Sequence, residues 1–290
     1  MLNKYFPGFE SKQFVTSGAT INAVVGGSGP PLLLLHGWPQ NLFEWHRVAP
    51  WLARNFTVVA ADLRGYGQSG KPADGDNHIG YSKRAMAADQ VEMMKQLGFE
   101  RFAVVGHDRG GRVTHRMALD FPKHVTRAVV IDIVPTLKLY TTVTKQLASA
   151  YFHWFFLIQP NPLPETLLFG HGEFFLRGRW RELDEQAMPR DVFEDYVRCF
   201  NDPATLHAMC EDYRAGASID LEHDRADLDK KAACPLLVLW GEYGAMHRLY
   251  DVLDTWRERA SDVRGKALPG GHWLPEQVPQ LLYDELKTFL

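Results

Sequence analysis

The sequence predicts an α/β protein: a mostly parallel β-sheet flanked by helices, with a helical cap inserted between two of its strands. Short apolar runs alternate with longer amphipathic segments over residues 1–134 and again over residues 228–290. Residues 135–227 lack this alternation, are rich in aromatic side chains and are broken by prolines. Because structureless loops longer than about 15 residues are uncommon, this insertion should be a helical cap.

Strands are expected where apolar residues run together and a turn signal follows. The expected strands are PLLLLHG, which ends at Gly37, Phe56–Asp62, Arg101–His107, a run that finishes near Asp132, Pro235–Glu242 and Val263–Leu268. Between them, the apolar residues after Tyr81 have helical spacing and stop at Gly98. A second helix should run from about Arg109 to Asp120, because Pro122 follows it.

Composition excludes several classes of function. Of the 290 residues, 46% are hydrophobic, and a net charge of −3 gives no electrostatic case for binding nucleic acid or an anionic membrane. The first residues lack a secretory signal and the apolar stretch around Tyr151–Ile158 is too short to span a bilayer, so we expect a cytoplasmic protein. Cys199, Cys210 and Cys234 have no CxxC spacing, so neither a disulfide nor a zinc site is indicated.

The segment VVGHDRGGR, Val104–Arg112, stands between a predicted strand and a predicted helix. A G-x-nucleophile-x-G turn at such a place is tight and holds its middle side chain at the mouth of the sheet. Here the middle residue is Asp108, and the helix dipole favours its ionised form. A carboxylate nucleophile forms an ester that water must then cleave. Asp108 is therefore the predicted nucleophile, with a simple N-cap aspartate as the structural alternative.

A second motif, HGWP at His36–Pro39, closes the first predicted strand. Hydrolases with a strand-to-helix nucleophile turn supply one oxyanion-hole amide from this place and another from the residue after the nucleophile. We therefore expect the backbone amides of Trp38 and Arg109 to hold the oxygen of a tetrahedral intermediate.

The general base should be a histidine near the end of the chain, because the usual order in this architecture is nucleophile, acid, histidine. PGGHWLPEQVP supplies His272. Two carboxylates could orient it: Asp132, at the end of the strand after the nucleophile helix, and Glu242, after the next strand. Their positions alone leave both open.

These motifs, together with DLRGYGQSGKP, MALDFP, QPNPLPE and CEDYRAG, resemble the fluoroacetate or haloacetate dehalogenases of the α/β-hydrolase fold over essentially the whole chain. The resemblance implies an eight-stranded sheet with the cap inserted after the sixth strand. It divides the chain into a core, residues 1–134 and 228–290, and a cap, residues 135–227. It also favours Asp132 over Glu242. Trp38 departs from it, since many relatives have phenylalanine there, which leaves the size of the substrate open.

The most specific part of the resemblance is DRGGR, because haloalkane dehalogenases and epoxide hydrolases usually carry tryptophan where this sequence has Arg109. A haloacetate is an anion, and attack on it by Asp108 is repulsive unless the substrate carboxylate is neutralised. Arg109 and Arg112, three residues apart at the start of one helix, could grip that carboxylate with charge-assisted hydrogen bonds. Arginine near a helix N-terminus is disfavoured by the dipole, which supports a functional reason for the pair.

The resemblance places His153, Trp154 and Tyr213 in the cap as a halide pocket, and their imidazole N–H, indole N–H and phenol O–H are donors of the right type. Trp180 is a further candidate for the lining of this pocket.

The implied activity is hydrolysis of small 2-haloacids to 2-hydroxy acids through a covalent aspartyl ester, with no metal or organic cofactor. The expected partner is the haloacid alone, and relatives suggest a homodimer. The main alternative is an epoxide hydrolase, in which Tyr213 and either Tyr151 or Tyr140 would protonate the epoxide oxygen. A ligand-binding protein with vestigial catalytic residues is the alternative from another class.

Overall fold

The computed structural model describes residues 1–181 and 183–290. The strands are β1 (Glu10–Val15), β2 (Thr20–Gly26), β3 (Pro31–Leu35), β4 (Thr57–Ala61), β5 (Phe102–His107), β6 (Val125–Ile131), β7 (Leu236–Gly241) and β8 (Val263–Leu268). Within the described residues they form one eight-stranded sheet in the order β1-β2-β4-β3-β5-β6-β7-β8. The pairs β1–β2 and β2–β4 are antiparallel, and β3 to β8 pair in parallel. The mostly parallel sheet predicted from the sequence is confirmed.

The helices fall into two sets, those that flank the sheet and those inserted between β6 and β7. The first set is α1 (Leu2–Tyr5), α2 (Ala49–Leu52), α3 (Lys83–Gln96), α4 (Asp108–Asp120), α13 (Ala245–Leu249), α14 (Val252–Arg257), α15 (Leu274–Gln277) and α16 (Pro279–Phe289). The inserted set is α5 (Thr136–Thr141), α6 (Lys145–Ala150), α7 (Phe152–Leu157), α8 (Leu163–Leu168), α9 (Gly172–Arg179), α10 (Arg190–Phe200), α11 (Pro203–Ala217) and α12 (Ile219–Ala226). Short 3₁₀ segments lie at Leu42–Arg47 and Asp76–Tyr81.

The core lies on both faces of the sheet, because successive strand side chains point to opposite faces. In β3 the side chains of Leu33 and Leu35 pack on the face covered by α3, α4 and the inserted helices. Those of Leu32 and Leu34 pack on the other face, against α2 and α16. All four are fully buried. Burial on both faces explains why this strand reads as a continuous apolar run.

The inserted helices cover the edge of the sheet at which the parallel strands end. α11 contacts the 3₁₀ segment Asp76–Tyr81 of the core, and α12 contacts α5. In open α/β sheets, ligands bind outside the carboxyl ends of the strands. This arrangement puts the predicted site residues between the sheet edge and the inserted helices. Across the described residues, no helix combines the length and apolar character needed to cross a membrane.

Candidate active site

The predicted nucleophile lies on a strained turn between β5 and α4. Asp108 has φ of +44°, a conformation that costs energy for a residue with a side chain. The turn is tight enough to require glycine on both sides: a Cβ on Gly106 would lie 2.2 Å from the carbonyl oxygen of Gly110, and one on Gly110 would lie 2.3 Å from that of Leu35. The two flanking glycines of the motif therefore have a steric reason, and Asp108 is held at the end of the sheet.

The HGWP turn lies directly against this carboxylate. The backbone N–H of Trp38 donates to Asp108 Oδ1 at 3.0 Å. A Cβ on Gly37 would lie 2.8 Å from Asp108 Cβ, so glycine is needed for this approach. The other expected oxyanion donor, Arg109, is the second residue of α4, and the first N–H groups of a helix have no partner within the helix.

The structure brings His272 together with Asp132 and Asp108. His272 Nδ1 lies 2.5 Å from Asp132 Oδ2, and its Nε2 lies 3.9 Å from Asp108 Oδ2. The other oxygen of Asp132 accepts from the Gly241 N–H at 3.0 Å, which fixes the orientation of the carboxylate. Glu242 is exposed and its backbone N–H pairs with Leu268. Of the two acids left open by the sequence, Asp132 is the one in contact with the imidazole.

The charges around Asp108 favour its ionised form. Burial alone would raise the pKa of this carboxyl group, but the electrostatic influence of the neighbouring His272, His107, Arg109 and Arg112 side chains outweighs burial and lowers the pKa below its usual value. An ionised carboxylate is the form that can act as a nucleophile.

The two arginines predicted to bind a carboxylate occupy different environments. Arg109 is fully buried and ion-paired with Asp212: Nε donates to Oδ2 at 2.8 Å and Nη2 to Oδ1 at 2.7 Å. Its Nη1 has no hydrogen-bond partner among the described residues. Arg112 donates from Nη1 to the carbonyl oxygen of Val134 and to Thr136 Oγ1, while its Nε has no described partner. Each arginine is therefore held by protein on one side and has a buried donor left over.

The three predicted halide ligands lie together beside these arginines. Trp154 packs edge-on to Tyr213 with ring centroids 5.6 Å apart, and His153 lies 5.9 Å from Tyr213. The guanidinium of Arg109 lies 4.2 Å from the Tyr213 ring centroid, and that of Arg112 lies 4.4 Å from the Trp154 centroid.

All three side chains are buried with polar atoms that lack partners. These atoms, within the described chain, are His153 Nδ1, Trp154 Nε1 and Tyr213 Oη. Burial, assisted by the charge of Arg179, lowers the pKa of His153 well below its usual value, so its imidazole is neutral. Burial also raises the pKa of Tyr213, which keeps its proton. Buried polar groups are normally paired, so a cluster of unpaired donors indicates a site for an acceptor or an anion.

Two tryptophans extend this cluster in different directions. The ring of Trp38 stacks on His153 at 4.8 Å with an interplanar angle of 8°. Trp180 lies 5.3 Å from Trp273, the residue after His272, and lines a cleft of about 570 Å³ with Met188 and Phe193. Trp38 therefore contacts the predicted halide ligands, whereas Trp180 lies on the side of His272.

Sequence reasoning missed two buried groups around the site. One is Asp212, which holds Arg109 through Nε and Nη2 and is itself held by Lys83 and Tyr66. Lys83 Nζ contacts Asp212 Oδ1, and the Tyr66 hydroxyl donates to Oδ2 at 2.6 Å. The other is His107 with Glu44, a pair with no exposed surface directly behind Asp108. The available signal was that Asp212 immediately precedes Tyr213 and His107 immediately precedes Asp108.

One group of side chains has the composition of a metal site, and it lies elsewhere in the described chain. Asp74, His207 and Glu211 offer ligand atoms within 4.8 Å of one another. Glu211 is already paired with Arg214 Nη1 at 2.7 Å and with His78 Nδ1 at 2.5 Å. A neighbouring guanidinium opposes a cation, so we read this group as a polar contact between α11 and the 3₁₀ segment of the core.

Comparison with known proteins places the chain in a family. The family model for the alpha/beta hydrolase fold matches residues 30–278. The chain is 48% identical to the fluoroacetate dehalogenase of a Burkholderia species, over 98% of this chain and 95% of that protein. It is 35% identical to the soluble epoxide hydrolase of Corynebacterium sp. strain C12, over 96% of each chain. The crystal structure of a protein of Nostoc sp. PCC 7120 assigned to the alpha/beta hydrolases matches with a TM-score of 0.95 at 55% identity, over 97% of each chain.

Proposed function

The chain belongs to the α/β-hydrolase family, in the branch of the fluoroacetate dehalogenases, which are hydrolases acting on carbon–halide bonds, and we propose that it converts small 2-haloacids to 2-hydroxy acids and halide. The single observation that carries the proposal is the combination of a buried carboxylate, Asp108, with two buried arginines that each keep a donor without a partner among the described residues. A neutral substrate gains little from paired guanidinium groups, whereas a haloacetate needs them.

In the proposed first step, Asp108 Oδ2 attacks carbon 2 of the haloacid in line with the carbon–halogen bond. A carbon–oxygen bond forms, the carbon–halogen bond breaks with its electron pair, and the carbon is inverted. Arg109 Nη1 and Arg112 Nε bind the substrate carboxylate, so that an anion can approach Asp108. His153, Trp154 and Tyr213 donate to the departing halide, and each does so as a neutral donor.

In the proposed second step, water cleaves the aspartyl ester. His272 takes a proton from water through Nε2, and Asp132 stabilises the resulting imidazolium through Nδ1. Hydroxide adds to the ester carbonyl, and the oxygen that becomes negative is held by the amides of Trp38 and Arg109. Collapse breaks the ester carbon–oxygen bond, and the imidazolium of His272 returns its proton to the departing oxygen, which becomes the hydroxyl group of the 2-hydroxy acid. Loss of the remaining carboxyl proton to water regenerates the carboxylate of Asp108. These steps need no metal or organic cofactor.

An epoxide hydrolase is the second candidate function, and two observations favour it. The chain is 35% identical to the Corynebacterium epoxide hydrolase, and the hydroxyl groups of Tyr140 and Tyr213 are buried without a partner in the described residues. Two phenols could protonate an epoxide oxygen after attack by Asp108. We rank this function second because buried Arg109 and Arg112 have no role toward a neutral epoxide.

The test is halide release from fluoroacetate and chloroacetate in parallel, measured by ion chromatography, with Asp108→Ala as the blank. Release of both halides supports the whole proposal. Chloride alone supports the mechanism and contradicts the role of the three cap donors in releasing fluoride. If neither halide is released and styrene oxide is hydrolysed, the epoxide hydrolase function replaces the one proposed.

We further propose that the enzyme acts in the cytoplasm as a homodimer, with a core of residues 1–134 and 228–290 and a cap of residues 135–227. The cap proposal is supported by the run of helices α5 to α12 between β6 and β7. Both arginines of the proposed carboxylate site come from the core, whereas all three proposed halide ligands come from the inserted helices. Substrate would therefore bind between the two parts.

A further inference from the structure

Glu44 is buried with no exposed surface, lies in the 3₁₀ segment Leu42–Arg47, and has no part in the reaction proposed above. Its Oε2 accepts from the backbone N–H of Gly37 at 2.6 Å. Gly37 belongs to the HGWP turn, and its successor Trp38 supplies the N–H that holds Asp108 Oδ1. One oxygen of Glu44 is thus one residue away from the oxyanion donor.

The second oxygen of Glu44 contacts His107, which in turn contacts the loop that carries His272. Oε1 forms an ion-pair contact of 3.0 Å with Nδ1 of His107. The other ring nitrogen of His107 lies 2.9 Å from the backbone oxygen of His272, to which it donates. Burial alone would lower the pKa of His107, but the neighbouring carboxylates, Glu44 first among them, outweigh burial and raise the pKa to about 9. A protonated His107 carries a hydrogen on both ring nitrogens: Nε2–H donates to the His272 oxygen, whereas Nδ1 is held near Glu44 Oε1 by charge attraction, without an aligned hydrogen bond among the described residues.

We propose that Glu44 is a positioning residue that braces the oxyanion turn and the His272 loop on either side of Asp108, with His107 as the link to the loop. This inference rests on the proposed haloacid hydrolysis. Buried polar contacts without access to water are rigid, and misplacement of catalytic groups by about 1 Å can cost about 100-fold in rate.

The brace should matter for one chemical step more than for the other. Formation of the ester depends on Asp108, whose backbone is fixed by β5 and α4, and on Arg109, Arg112 and the cap donors, none of which has a polar contact with Glu44 among the described residues. The Trp38 N–H contacts only Asp108 Oδ1, the oxygen that does not attack the substrate. Hydrolysis of the ester depends on His272 and on the Trp38 amide, which are the two groups that the brace positions. Loss of the brace should therefore slow the decay of the adduct rather than its formation.

The variant that removes the brace is Glu44→Leu, and the variant that keeps it is Glu44→Gln. An amide retains an acceptor for the Gly37 N–H and an NH₂ group that can donate to Nδ1 of a neutral His107, whose Nε2–H still donates to His272. Asp89→Asn is the matched control, because it makes the same carboxylate-to-amide change as Glu44→Gln in another buried carboxylate, which lies on α3 and is ion-paired with Arg64.

The experiment follows the aspartyl adduct by rapid-quench intact-mass spectrometry with chloroacetate. In Glu44→Leu we expect the adduct to form within about threefold of the wild-type rate and to decay at least about tenfold more slowly. In Glu44→Gln and Asp89→Asn the adduct should decay at the wild-type rate. Bromide should inhibit wild type and the three variants equally. An adduct in Glu44→Leu that decays at the wild-type rate, or a Glu44→Gln protein as slow as Glu44→Leu, would overturn the proposal. So would weaker inhibition by bromide, since it would indicate general loosening of the site.

His107→Asn is the second variant, for use if Glu44→Leu does not fold, because it removes the link to His272 and leaves Glu44 on Gly37. It should also prolong the lifetime of the adduct. A wild-type protein that forms neither adduct nor halide would contradict the proposed function and not the brace. In that case the imidazole NMR signals of His272 test the brace without turnover. They should shift in Glu44→Leu and stay unchanged in Asp89→Asn. Unchanged signals in both variants would refute the brace.

Discussion

At the scale of single residues, the 3.9 Å between His272 Nε2 and Asp108 Oδ2 is too long for a direct hydrogen bond and leaves the imidazole free to act on water. We predict that His272→Ala still forms the ester and cannot cleave it, so that intact-mass spectrometry after incubation with chloroacetate shows a stable added glycolyl mass. Asp108→Asn should show no added mass and no turnover. An unmodified His272→Ala protein that has released one equivalent of chloride would contradict this order of steps.

Asp212 offers a second prediction at this scale, because it uses two of the three nitrogens of Arg109 and leaves only Nη1 for the substrate. Asp212→Asn should let the guanidinium turn, and hydrogen bonds to charged groups are worth about 1.5–3 kcal/mol. We expect the inhibition constant of acetate, which carries the substrate carboxylate without a leaving group, to rise at least about tenfold. Bromide should inhibit as in wild type, because Tyr213, Trp154 and His153 keep their donors.

The control is Asp220→Asn, which removes a carboxylate that contacts Lys83 at 3.4 Å and has no hydrogen bond to Arg109 among the described residues. Acetate inhibition should be unchanged in this variant. Equal weakening of acetate and bromide in Asp212→Asn would show that α11 has moved as a whole, and would contradict a specific action through Arg109.

At the scale of elements, the turn between β5 and α4 has glycines whose roles differ from that of an ordinary helical glycine. Alanine is the better helix former, so Gly→Ala in an unhindered helix stabilises by about 0.5–1 kcal/mol. Among the described residues, no atom lies within 4 Å of a Cβ added to Gly178 in α9, and Gly178→Ala should raise the free energy of unfolding by that amount. Gly110→Ala forces the Cβ against the Leu35 backbone oxygen, and overpacking costs about 1–3 kcal/mol. Urea denaturation of both variants measures the difference, and equal stability of the two proteins would contradict the steric account.

The elements that the sequence predicted are those with a strong local signal. β3, β5 and β7 read as apolar runs because both faces are buried, and Asp108 was found because its flanking glycines are spaced for one sharp turn. β1 and β2 were not located. Of the six residues of β1 only Phe14 is buried, and the strand shows no apolar run. Asp212, Glu44 and His107 were not found because their partners are 103, 7 and 165 residues away, and spacing carries no information about such contacts.

At the scale of the whole molecule, the inserted helices are tied to the core by buried charges rather than by apolar contacts alone. Arg116 on α4 contacts Asp224 on α12 at 2.7 Å, and Lys83 on α3 contacts Asp212 on α11. Breaking a buried pair leaves an uncompensated charge, which costs about 3–5 kcal/mol. Asp212 also holds Arg109, so this one carboxylate sets both the position of α11 and the geometry of that arginine.

The proposed homodimer is the prediction that concerns the whole assembly, and a cluster of exposed apolar residues indicates where two copies would meet. Within twelve residues of the inserted helices, Leu163, Leu167, Phe169 and Phe174 are between 48% and 83% exposed. Exposed apolar patches of this kind mark association surfaces. We expect sedimentation velocity to give one species of about twice the 33.0 kDa chain mass, and Leu167→Glu combined with Phe174→Glu to shift it toward the monomer.

Val15→Glu is the matched control for this surface, because Val15 is 76% exposed at the end of β1, far along the chain from the cluster. It should leave the dimer intact. A single 33.0 kDa species for wild type would refute the dimer, and a dimer that survives the double substitution would place the interface elsewhere. α9 carries Phe174 of this surface and leads into Trp180, and α7, two helices earlier in the inserted set, carries His153. We therefore expect dissociation also to weaken bromide inhibition. Acetate inhibition should be unchanged, because Arg109 and Arg112 lie on α4.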